Sequence, residues 1–439
     1  MKQSKFNQTI AIGFMLFALF FGAGNLIFPA SMGQNAGENV WYAVLGFIVT
    51  GVGLPFLGVL AMGYSGCKDL QELSSRISPR WAVCYTVLLY ITIGPSLCTP
   101  RTGTVSYEIA VRPFLPDGGS QLSLIIFLAI FFGLTYWLSV SPQKLVDRIG
   151  KILTPALLLV IVLLIVKSFI TPLGTLQMPA EAYATAMTSF SKGFLEGYGT
   201  MDALGSLVFS ILVIQFIIEN GADTPQKVTK ETCKAGAIAA GLLGIIYICI
   251  SYLGATSVSA LGILSNGAPV LANSAKILFG PVGAAILAII VLLACLSTSI
   301  GLVTSGAAYF YKLCSAISYK MWVFVFSFVS FVVGIWGLTA IIQAAVPVLT
   351  FLYPLTAVLI FLTLADRCFK SRRCVYVCGT AAAFLPALIS GCKAAGWSMG
   401  KLGALFDAYV PLHTLGLDWI LFGSIGVVIG LIYSRIKKK

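Results

Sequence analysis

Charged residues and histidine are scarce in this chain of 439 residues. Only 10% of the residues are charged, histidine occurs once, at His413, and the eleven cysteines include no CxxC pair. Zinc sites and disulfide scaffolds need closely spaced Cys and His residues, so the sequence argues against both. We expect the cysteines to pack as small apolar residues and His413 to be a solvated residue of an outer loop.

The motifs of common catalytic sites are also missing. The chain has no HExxH, no paired acids of the aspartyl-protease kind and no Ser/His arrangement. The stretch GWSMGKL has the wrong spacing for a P-loop and lacks its Ser or Thr. A channel would need a repeated filter or a polar stripe along a pore. The sequence therefore argues against an enzyme and disfavours a channel.

Long apolar stretches, by contrast, are abundant. Hydrophobic residues make up 58% of the chain, and the mean hydropathy is +0.96. Runs of about 20 apolar residues, the length of a bilayer-spanning helix, recur from end to end. No cleavage site follows the first run, so we interpret it as a helix rather than a signal peptide. We predict a single all-α polytopic membrane domain over residues 1–439, with twelve spans near residues 8–34, 40–65, 81–111, 121–140, 147–171, 188–219, 230–256, 275–313, 319–338, 340–365, 373–392 and 415–436.

The basic residues are unevenly distributed among the loops. If both termini are cytoplasmic, 21 of the 28 Lys and Arg residues lie at cytoplasmic helix ends, which is the bias that orients membrane proteins. The net charge of +13 then reflects topology and contact with anionic lipid headgroups. No motif accompanies this charge that would indicate a nucleic-acid partner. We expect a multi-pass protein of the cell membrane with cytoplasmic N- and C-termini.

Two of the predicted spans are interrupted by residues that weaken a helix. The first contains ALFFGAGNLIFPA (18–30) and the sixth contains FLEGYGTMDALGSLVFS (194–210). Because the two spans are five apart, we predict two inverted five-helix repeats (8–171 and 188–365) and two extra helices (373–436). Matched breaks in two halves point to a binding site at the membrane midplane. A proline kink or tight packing through small residues is the alternative explanation for each break.

Polar groups near the breaks suit an anionic group and a small cation. Unwound backbone cannot face lipid, so its N–H and C=O groups face protein, water or ligand. Helix N-termini attract carboxylates, and freed carbonyls attract cations. In ACLSTSIG of the eighth span, the Ala294 carbonyl and the Ser297 and Thr298 hydroxyls can face one point. These oxygens form a candidate cation site, and the alternative is ordinary bonding of each hydroxyl to the preceding turn.

Three stretches together resemble a known family of transporters. GFMLFALFFGAGNLIFPASMG, IGPSLCTPRTGTVSYE and GYGTMDALGSLVF closely resemble the branched-chain amino acid carriers, the leucine/isoleucine/valine:cation symporters. That family belongs to the amino acid/polyamine/organocation superfamily. The resemblance implies the five-plus-five inverted repeat of the bacterial leucine transporter, with broken helices 1 and 6. It also implies uptake of leucine, isoleucine and valine by alternating access, driven by a sodium or proton gradient.

The resemblance also implies a set of site residues. More distantly, GAGNLIFP and ACLSTSIG are similar to motifs of the neurotransmitter:sodium symporters. Carried over residue by residue, the likeness implies one sodium ion held by Ala18, Phe21, Ala294, Ser297 and Thr298. It implies that the Ala23 and Gly24 N–H groups bind the substrate carboxylate, and that Asn25 and Thr200, with the Phe20 carbonyl, match a second sodium site. We predict a substrate site formed by Gly22, Ala23, Gly24, Asn25, Gly199, Thr200, Met201 and Asp202, although Asp202 stands where those symporters carry a small neutral hydroxyl residue. Leu26 and Ile27 stand where those symporters carry a gating arginine, which is a departure from their pattern.

Four ionisable residues within predicted spans are functional candidates because burying a charge in a membrane is costly. Asp202 could attract the substrate ammonium, contribute to a cation site, carry a proton or cap a half-helix. We predict that Arg101 forms a structural or gating ion pair with Glu108, seven residues on, or with Asp202. The alternative is that Arg101 contacts the substrate directly. Glu196, nearer the outer end, is predicted to be a vestibule or gate residue.

The choice between sodium and proton coupling depends on the fifth span. Proton-coupled relatives of this fold can carry a lysine in that helix where sodium would sit. Here its middle, TPALLLVIVLLIV, is uncharged, and Lys151 is predicted to lie toward the cytoplasmic end. The sequence therefore favours sodium as the coupling ion, with no other cofactor. Proton coupling, or another small neutral amino acid as substrate, is the alternative.

Overall fold

The computed structural model describes residues 5–115, 118–140, 158–159, 161–219, 222 and 224–436. Within these residues the secondary structure is helical, which confirms the all-α prediction. The longer helices are α1 (Lys5–Phe20), α2 (Ala23–Ala36), α3 (Val40–Ile48), α4 (Leu54–Ser65), α5 (Pro79–Ile91), α6 (Cys98–Ala110), α7 (Gln121–Ser139), α8 (Ile161–Ile170), α9 (Ala186–Glu196), α10 (Asp202–Glu219), α11 (Pro225–Leu261), α12 (Gly267–Leu313), α13 (Tyr319–Gly334), α14 (Leu338–Leu364), α15 (Arg373–Ala394), α16 (Gly400–Tyr409) and α17 (Asp418–Ile436).

Several of these helices begin at a side-chain cap that the sequence provides. The hydroxyls of Ser78, Ser120, Thr185 and Ser318 each accept the backbone N–H three residues further on. Such a bond satisfies one of the donors that a helix N-terminus otherwise leaves without a partner. The starts of α5, α7, α9 and α13 are therefore fixed by local sequence.

Both predicted breaks are present in the structure. Between α1 and α2 only Phe21 and Gly22 are non-helical, and the Gly22 backbone is extended, with φ −121° and ψ −163°. Between α9 and α10 the chain makes a 3₁₀ turn at Gly197–Thr200 and then places Met201 in the left-handed region, at φ +63°. A left-handed side-chain-bearing residue is strained, so surrounding packing must stabilise this turn.

Two further interruptions were not predicted. The third span, expected to run over 81–111, consists of α5 and α6 separated by a π-helical turn at Thr92–Ser96, in which Gly94 is non-helical. Pro95 has no N–H and its ring clashes with the preceding turn, which explains the break. The eighth span, expected from residue 275, begins at Gly267 and bends at Gly280 (φ +69°), directly before Pro281.

The number of spans remains a prediction. By length and composition, eight helices of the described residues could cross a membrane, one of them being the continuous stretch Ala23–Ser65. Three shorter apolar helices accompany them, at Thr9–Phe20, Ile161–Ile170 and Tyr319–Gly334. Much of the predicted fifth span, including Lys151, lies outside the described residues. The repeat boundaries are likewise still predictions, and α16 lies in a connection where no helix was predicted.

Close packing of α2 against α11 and α12 holds the first break inside the molecule. A Cβ atom on Gly254 of α11 would overlap the Ala30 carbonyl oxygen, and one on Gly33 would overlap the Ser251 carbonyl oxygen. Gly267, at the start of α12, similarly lies against the backbone of Ile27. Small residues allow such close approach between membrane helices. As a result every residue from 21 to 30 is buried.

The prediction for His413 is wrong. Its side chain is 3% exposed, and its Nδ1 lies 2.6 Å from the Asp418 carboxylate, which is 2% exposed. The Phe406 ring packs edge-on against the imidazole at a centroid distance of 5.4 Å. No local pattern indicated this burial, because Phe406 and Asp418 come from helices on either side of the turn that contains His413.

Candidate functional site

Asn25 and Asp202 connect the two helix breaks. The Asn25 Oδ1 accepts the Gly22 N–H at 3.0 Å, and its Nδ2 donates to Asp202 Oδ2 at 2.5 Å. Nδ2 also contacts the Tyr247 hydroxyl, which itself donates to Asp202 Oδ2 at 3.1 Å. Asn25 and Asp202 are 1% and 5% exposed. The polar residues predicted from the first and second breaks therefore belong to one buried network.

Tyr247 was not among the predicted site residues. It lies on α11, is fully buried, and packs edge-on against Phe47 at a centroid distance of 5.1 Å. Its hydroxyl is one of few polar groups in the apolar stretch LLGIIYICISY, and this isolated polar group was the only sequence feature that pointed to a role for Tyr247. A tyrosine in an apolar helix is also common in ordinary packing, so the pattern alone did not separate the two roles.

The second break is held in place by the Thr200 hydroxyl and by the ring of Phe28. Thr200 Oγ1 donates to the Gly197 carbonyl at 3.0 Å and accepts the Asp202 N–H at 3.3 Å. A Cβ atom on Gly199 would lie 2.5 Å from the Phe28 ring of α2. Gly199 is thus required for the close approach of the two breaks, while Met201 provides the left-handed residue that joins the 3₁₀ turn to α10.

Arg101 of α6 reaches into the space between the breaks. Its Nη1 donates to the Gly199 carbonyl at 2.5 Å and its Nη2 to the Thr200 carbonyl at 3.4 Å. The guanidinium also lies over the Phe28 ring, 5.4 Å from the centroid. Arg101 is 2% exposed, so carbonyl oxygens rather than water solvate its charge.

The predicted pair between Arg101 and Glu108 does not form. Glu108 instead binds Arg112, with 2.8 Å between Oε2 and Nη1. Seven residues on a helix are about 10 Å apart along the axis, whereas four residues bring two side chains into contact. Asp202 is near Arg101 but forms no ion pair with it among the described residues; its Oδ2 instead accepts hydrogen bonds from Asn25 and Tyr247.

A small cavity lies where these groups meet. Its volume is about 20 Å³, which is room for roughly one water molecule. Seven of the eight predicted substrate residues line it, and Gly199 is the exception. The lining residues are Leu19, Phe20, Gly22, Ala23, Gly24, Asn25, Ile93, Cys98, Arg101, Thr200, Met201, Asp202, Gly205, Phe209, Thr298 and Leu302.

The hydroxyl cluster of α12 adjoins the first break. Ser297 Oγ and Thr298 Oγ1 both donate to the Ala294 carbonyl, at 2.7 and 3.1 Å. A Cβ atom on Gly22 would lie 3.3 Å from the Thr298 methyl group, so the two elements are in van der Waals reach. Ser299, the next residue, turns away and lies 3.3 Å from the Thr135 hydroxyl of α7.

The remaining candidates lie at helix ends. Ala18 is in the last turn of α1 and Phe21 is at the break, where its N–H still donates to the Phe17 carbonyl at 2.7 Å. Glu196 is the last residue of α9 and is half-buried. The structure therefore groups the predicted substrate residues, Arg101 and the α12 hydroxyls around the first break, and leaves Glu108 outside this group.

The fold is that of a known group of transporters. A crystal structure of MhsT in complex with L-phenylalanine matches with a TM-score of 0.59 at 17% identity. The match covers 96% of this chain and 98% of that chain. MhsT has the leucine-transporter fold, so the five-plus-five architecture with broken helices 1 and 6 is confirmed.

Sequence relatives extend over nearly the whole chain. The branched-chain amino acid permease BraB of Bacillus subtilis is 47% identical, over 97% of this chain and 95% of that protein. The permease BrnQ of the same species is 44% identical, over 100% of this chain and 99% of that protein. A family model described as branched-chain amino acid transport protein matches residues 5–437. The chain therefore belongs to the branched-chain amino acid transport protein family.

Proposed function

We propose that the chain is a secondary transporter, not an enzyme, that imports leucine, isoleucine and valine together with sodium. The observation that carries this proposal is the buried network that joins the two breaks through Asn25 and Asp202. Discontinuous helices that meet in a membrane protein form the binding sites of many secondary transporters. The permease names of the relatives support the substrate class.

The chemistry around the cavity fits a zwitterion with an apolar side chain. The N-terminus of α2 carries free N–H groups and the positive end of a helix dipole, which suit a carboxylate. On the other side, the Gly199 and Thr200 carbonyls and the Asp202 carboxylate suit an ammonium group. Ile93, Phe209 and Leu302 complete an apolar wall for a branched side chain. Because the cavity is small, binding leucine requires the surrounding helices to move apart.

Sodium is proposed to bind between α1 and α12. Each hydroxyl oxygen of Ser297 and Thr298 keeps lone pairs when its proton is donated to Ala294. With the carbonyls of Ala18, Phe21 and Ala294 they form an uncharged set of oxygen ligands, which hard cations prefer. Thr298 lies against Gly22, so an ion at this place would stabilise the first break and raise the affinity for substrate.

The half-helices on either side of the two breaks are the elements proposed to move during alternating access. In the proposed cycle, the half-helices on either side of each break tilt relative to the packed frame while the site stays near the midplane. The protein would work in the cell membrane, among lipids, with both termini in the cytoplasm.

The test is uptake of radiolabelled leucine by the purified protein in proteoliposomes. We expect an inward sodium gradient to drive uptake, an inward proton gradient to fail, and isoleucine and valine to compete. The double variant Ser297→Ala/Thr298→Ala should lose sodium dependence. Ser299→Ala is the matched control, because Ser299 is the next hydroxyl on α12 but lies against Thr135.

Other outcomes would redirect the proposal. Proton-driven uptake indifferent to sodium would contradict sodium coupling and assign the coupling role to Asp202, the buried carboxyl at the break. Uptake of another small neutral amino acid, with leucine ineffective as a competitor, would keep the fold and overturn the substrate class.

A further inference from the structure

The Arg101 guanidinium is a buried charge that no carboxylate of the described residues contacts directly, although Asp202 lines the same cavity. The residue is 2% exposed, and no carboxylate of the described residues forms an ion pair with it. Its Nε is buried and has no hydrogen-bond partner among the same residues. A buried arginine is normally compensated by an anion, because removing its charge from water is costly. The function of the site must therefore account for a buried guanidinium that no carboxylate contacts.

Arg101 also lies against the positive end of a helix. A Cβ atom on Gly24, in the first turn of α2, would lie only 2.5 Å from Arg101 Nη2. The N-terminus of α2 and the guanidinium both attract anions and repel each other. Both line the same cavity. An anionic group between them would satisfy both, and the nearby Asp202 carboxyl group bonds to Asn25 and Tyr247 rather than to the guanidinium.

The present partners of Arg101 are groups that suit a cation. Nη1 and Nη2 donate to the Gly199 and Thr200 carbonyls at the end of the 3₁₀ turn. Asp202, two residues further on, keeps one carboxylate oxygen, Oδ1, outside the bonds with Asn25 and Tyr247. The guanidinium thus occupies acceptors that a substrate ammonium could use.

We propose that Arg101 binds the carboxylate of the amino acid substrate. Binding turns the guanidinium away from the Gly199 and Thr200 carbonyls, and these carbonyls, with Asp202, then accept hydrogen bonds from the substrate ammonium. This inference rests on the proposed function, since it identifies the group that recognises one end of the amino acid. It follows that a leucine analogue without a carboxylate cannot compete for Arg101 and binds weakly.

The experiment compares dissociation constants by titration calorimetry in sodium chloride, using the full-length protein in detergent. The ligands are leucine, leucinamide, which lacks the carboxylate, and 4-methylpentanoate, which lacks the ammonium. The variants are Arg101→Gln and Arg101→Lys. Arg112→Gln is the matched control. Arg112 lies just beyond the end of α6, the helix that carries Arg101, but it is exposed and paired with Glu108. The increase in melting temperature caused by sodium reports on the ion site.

The wild-type protein should prefer leucine over leucinamide by about 100-fold, as expected for charge-assisted hydrogen bonds. Arg101→Gln should weaken leucine binding by about 10- to 100-fold, leave leucinamide binding unchanged and so remove most of the preference. Arg101→Lys should lie between the two, and Arg112→Gln should match the wild type. The sodium-induced increase in melting temperature should persist in all of these variants.

Three results would overturn the inference. Equal weakening of leucine and leucinamide in Arg101→Gln would mean that Arg101 only holds the two breaks together. Unchanged leucine binding in that variant would mean that Arg101 does not touch the substrate. If the variant does not fold, a wild-type protein that binds leucinamide as tightly as leucine would likewise mean that no charged group recognises the carboxylate. In each case leucine binding by the wild type leaves the proposed function standing, whereas a wild type that binds no branched-chain amino acid overturns both.

Discussion

At the scale of single residues, Asn25 explains why an apolar span carries an amide in its middle. Its carbonyl oxygen accepts the Gly22 N–H that the break leaves free, and its amide group donates to Asp202 and Tyr247. A buried amide with fewer hydrogen-bond partners would destabilise the helix. The residue that weakens the first span locally is therefore the one that joins it to the second break.

Asp202 is the carboxyl group of this network, and its replacement tests the network directly. We expect Asp202→Asn to reduce leucine uptake about 10- to 100-fold, because an amide NH₂ replaces one oxygen of the carboxyl group that bonds to Asn25 and Tyr247 and is proposed to bind the substrate ammonium. Initial uptake rates in proteoliposomes measure the effect. Asp407→Asn, at the exposed partner of Lys393, should leave the rate unchanged. Asp202→Asn uptake near the wild-type rate would show that the carboxylate plays no part in transport.

Gly24 tests how tightly Arg101 fits against α2. In Gly24→Ala the new methyl group would lie 2.5 Å from Arg101 Nη2, so the guanidinium must shift or the break must open. We expect the leucine dissociation constant to rise about 10-fold or more, as for an overpacked core. Gly241→Ala is the control, because nothing lies within 4 Å of a Cβ there. Equal binding by the two variants would contradict the placement of Arg101.

At the scale of helices, small residues decide how closely α2 can approach its neighbours. Gly33 and Gly254 bring α2 and α11 into backbone contact, and this contact positions Asn25 on α2 near Tyr247 on α11. Lipid provides no hydrophobic driving force between helices, so such close packing is a main source of stability.

The Gly254 contact predicts a loss of stability. In Gly254→Ala the methyl group would overlap the Ala30 carbonyl oxygen, which is backbone and cannot rotate away. We expect destabilisation of about 1–3 kcal/mol, seen as a lower melting temperature in detergent. Gly244→Ala on the same helix has free space and should be neutral or slightly stabilising. A melting temperature for Gly254→Ala equal to that of Gly244→Ala would rule out the tight contact.

The sequence predicts a helix break or a buried side chain only where neighbouring residues in the chain mark it. Glycines and a polar amide marked the first break, and glycines beside a polar carboxyl marked the second. Pro95 provided an equally local signal for the break between α5 and α6, as Gly280 and Pro281 did for the bend in α12, but no break was predicted at either place. Tyr247 was missed because its partner, Asp202, is 45 residues away in the chain. His413 was misjudged because the spacing to Asp418, five residues further on, does not by itself show that the two side chains are buried together.

At the scale of the whole molecule, loops predicted to be cytoplasmic do contact one another. Lys312, at the end of α12, binds Asp69 at 2.7 Å, and Arg76 binds Asp366, beyond α14, at 3.2 Å. Arg373, at the start of α15, donates to the Ile77 carbonyl at 2.8 Å. Asp69 is outside the spans, and although burial raises its pKa, hydrogen bonds from Lys312 and the Glu72 N–H lower the pKa below the ordinary value. These loops therefore share one end of the molecule.

The orientation of that end in the membrane stays a prediction, which reporter fusions can check. A green fluorescent protein fused after residue 439 should be fluorescent, and alkaline phosphatase fused there should be inactive, because the basic helix ends favour the cytoplasm. Alkaline phosphatase fused after the exposed Trp397, between α15 and α16, should be active. The reverse pattern would invert the topology.

The whole interpretation depends on the two helix breaks forming the substrate site. A cryo-electron microscopy structure of the protein with leucine and sodium, in a lipid nanodisc with a bound antibody fragment, would locate that site without relying on transport. We expect leucine density between the breaks, with its carboxylate at the N-terminus of α2 and at Arg101. Leucine elsewhere, for example in the apolar cavity of about 510 Å³ between α14 and α17, with no density between the breaks, would contradict this placement.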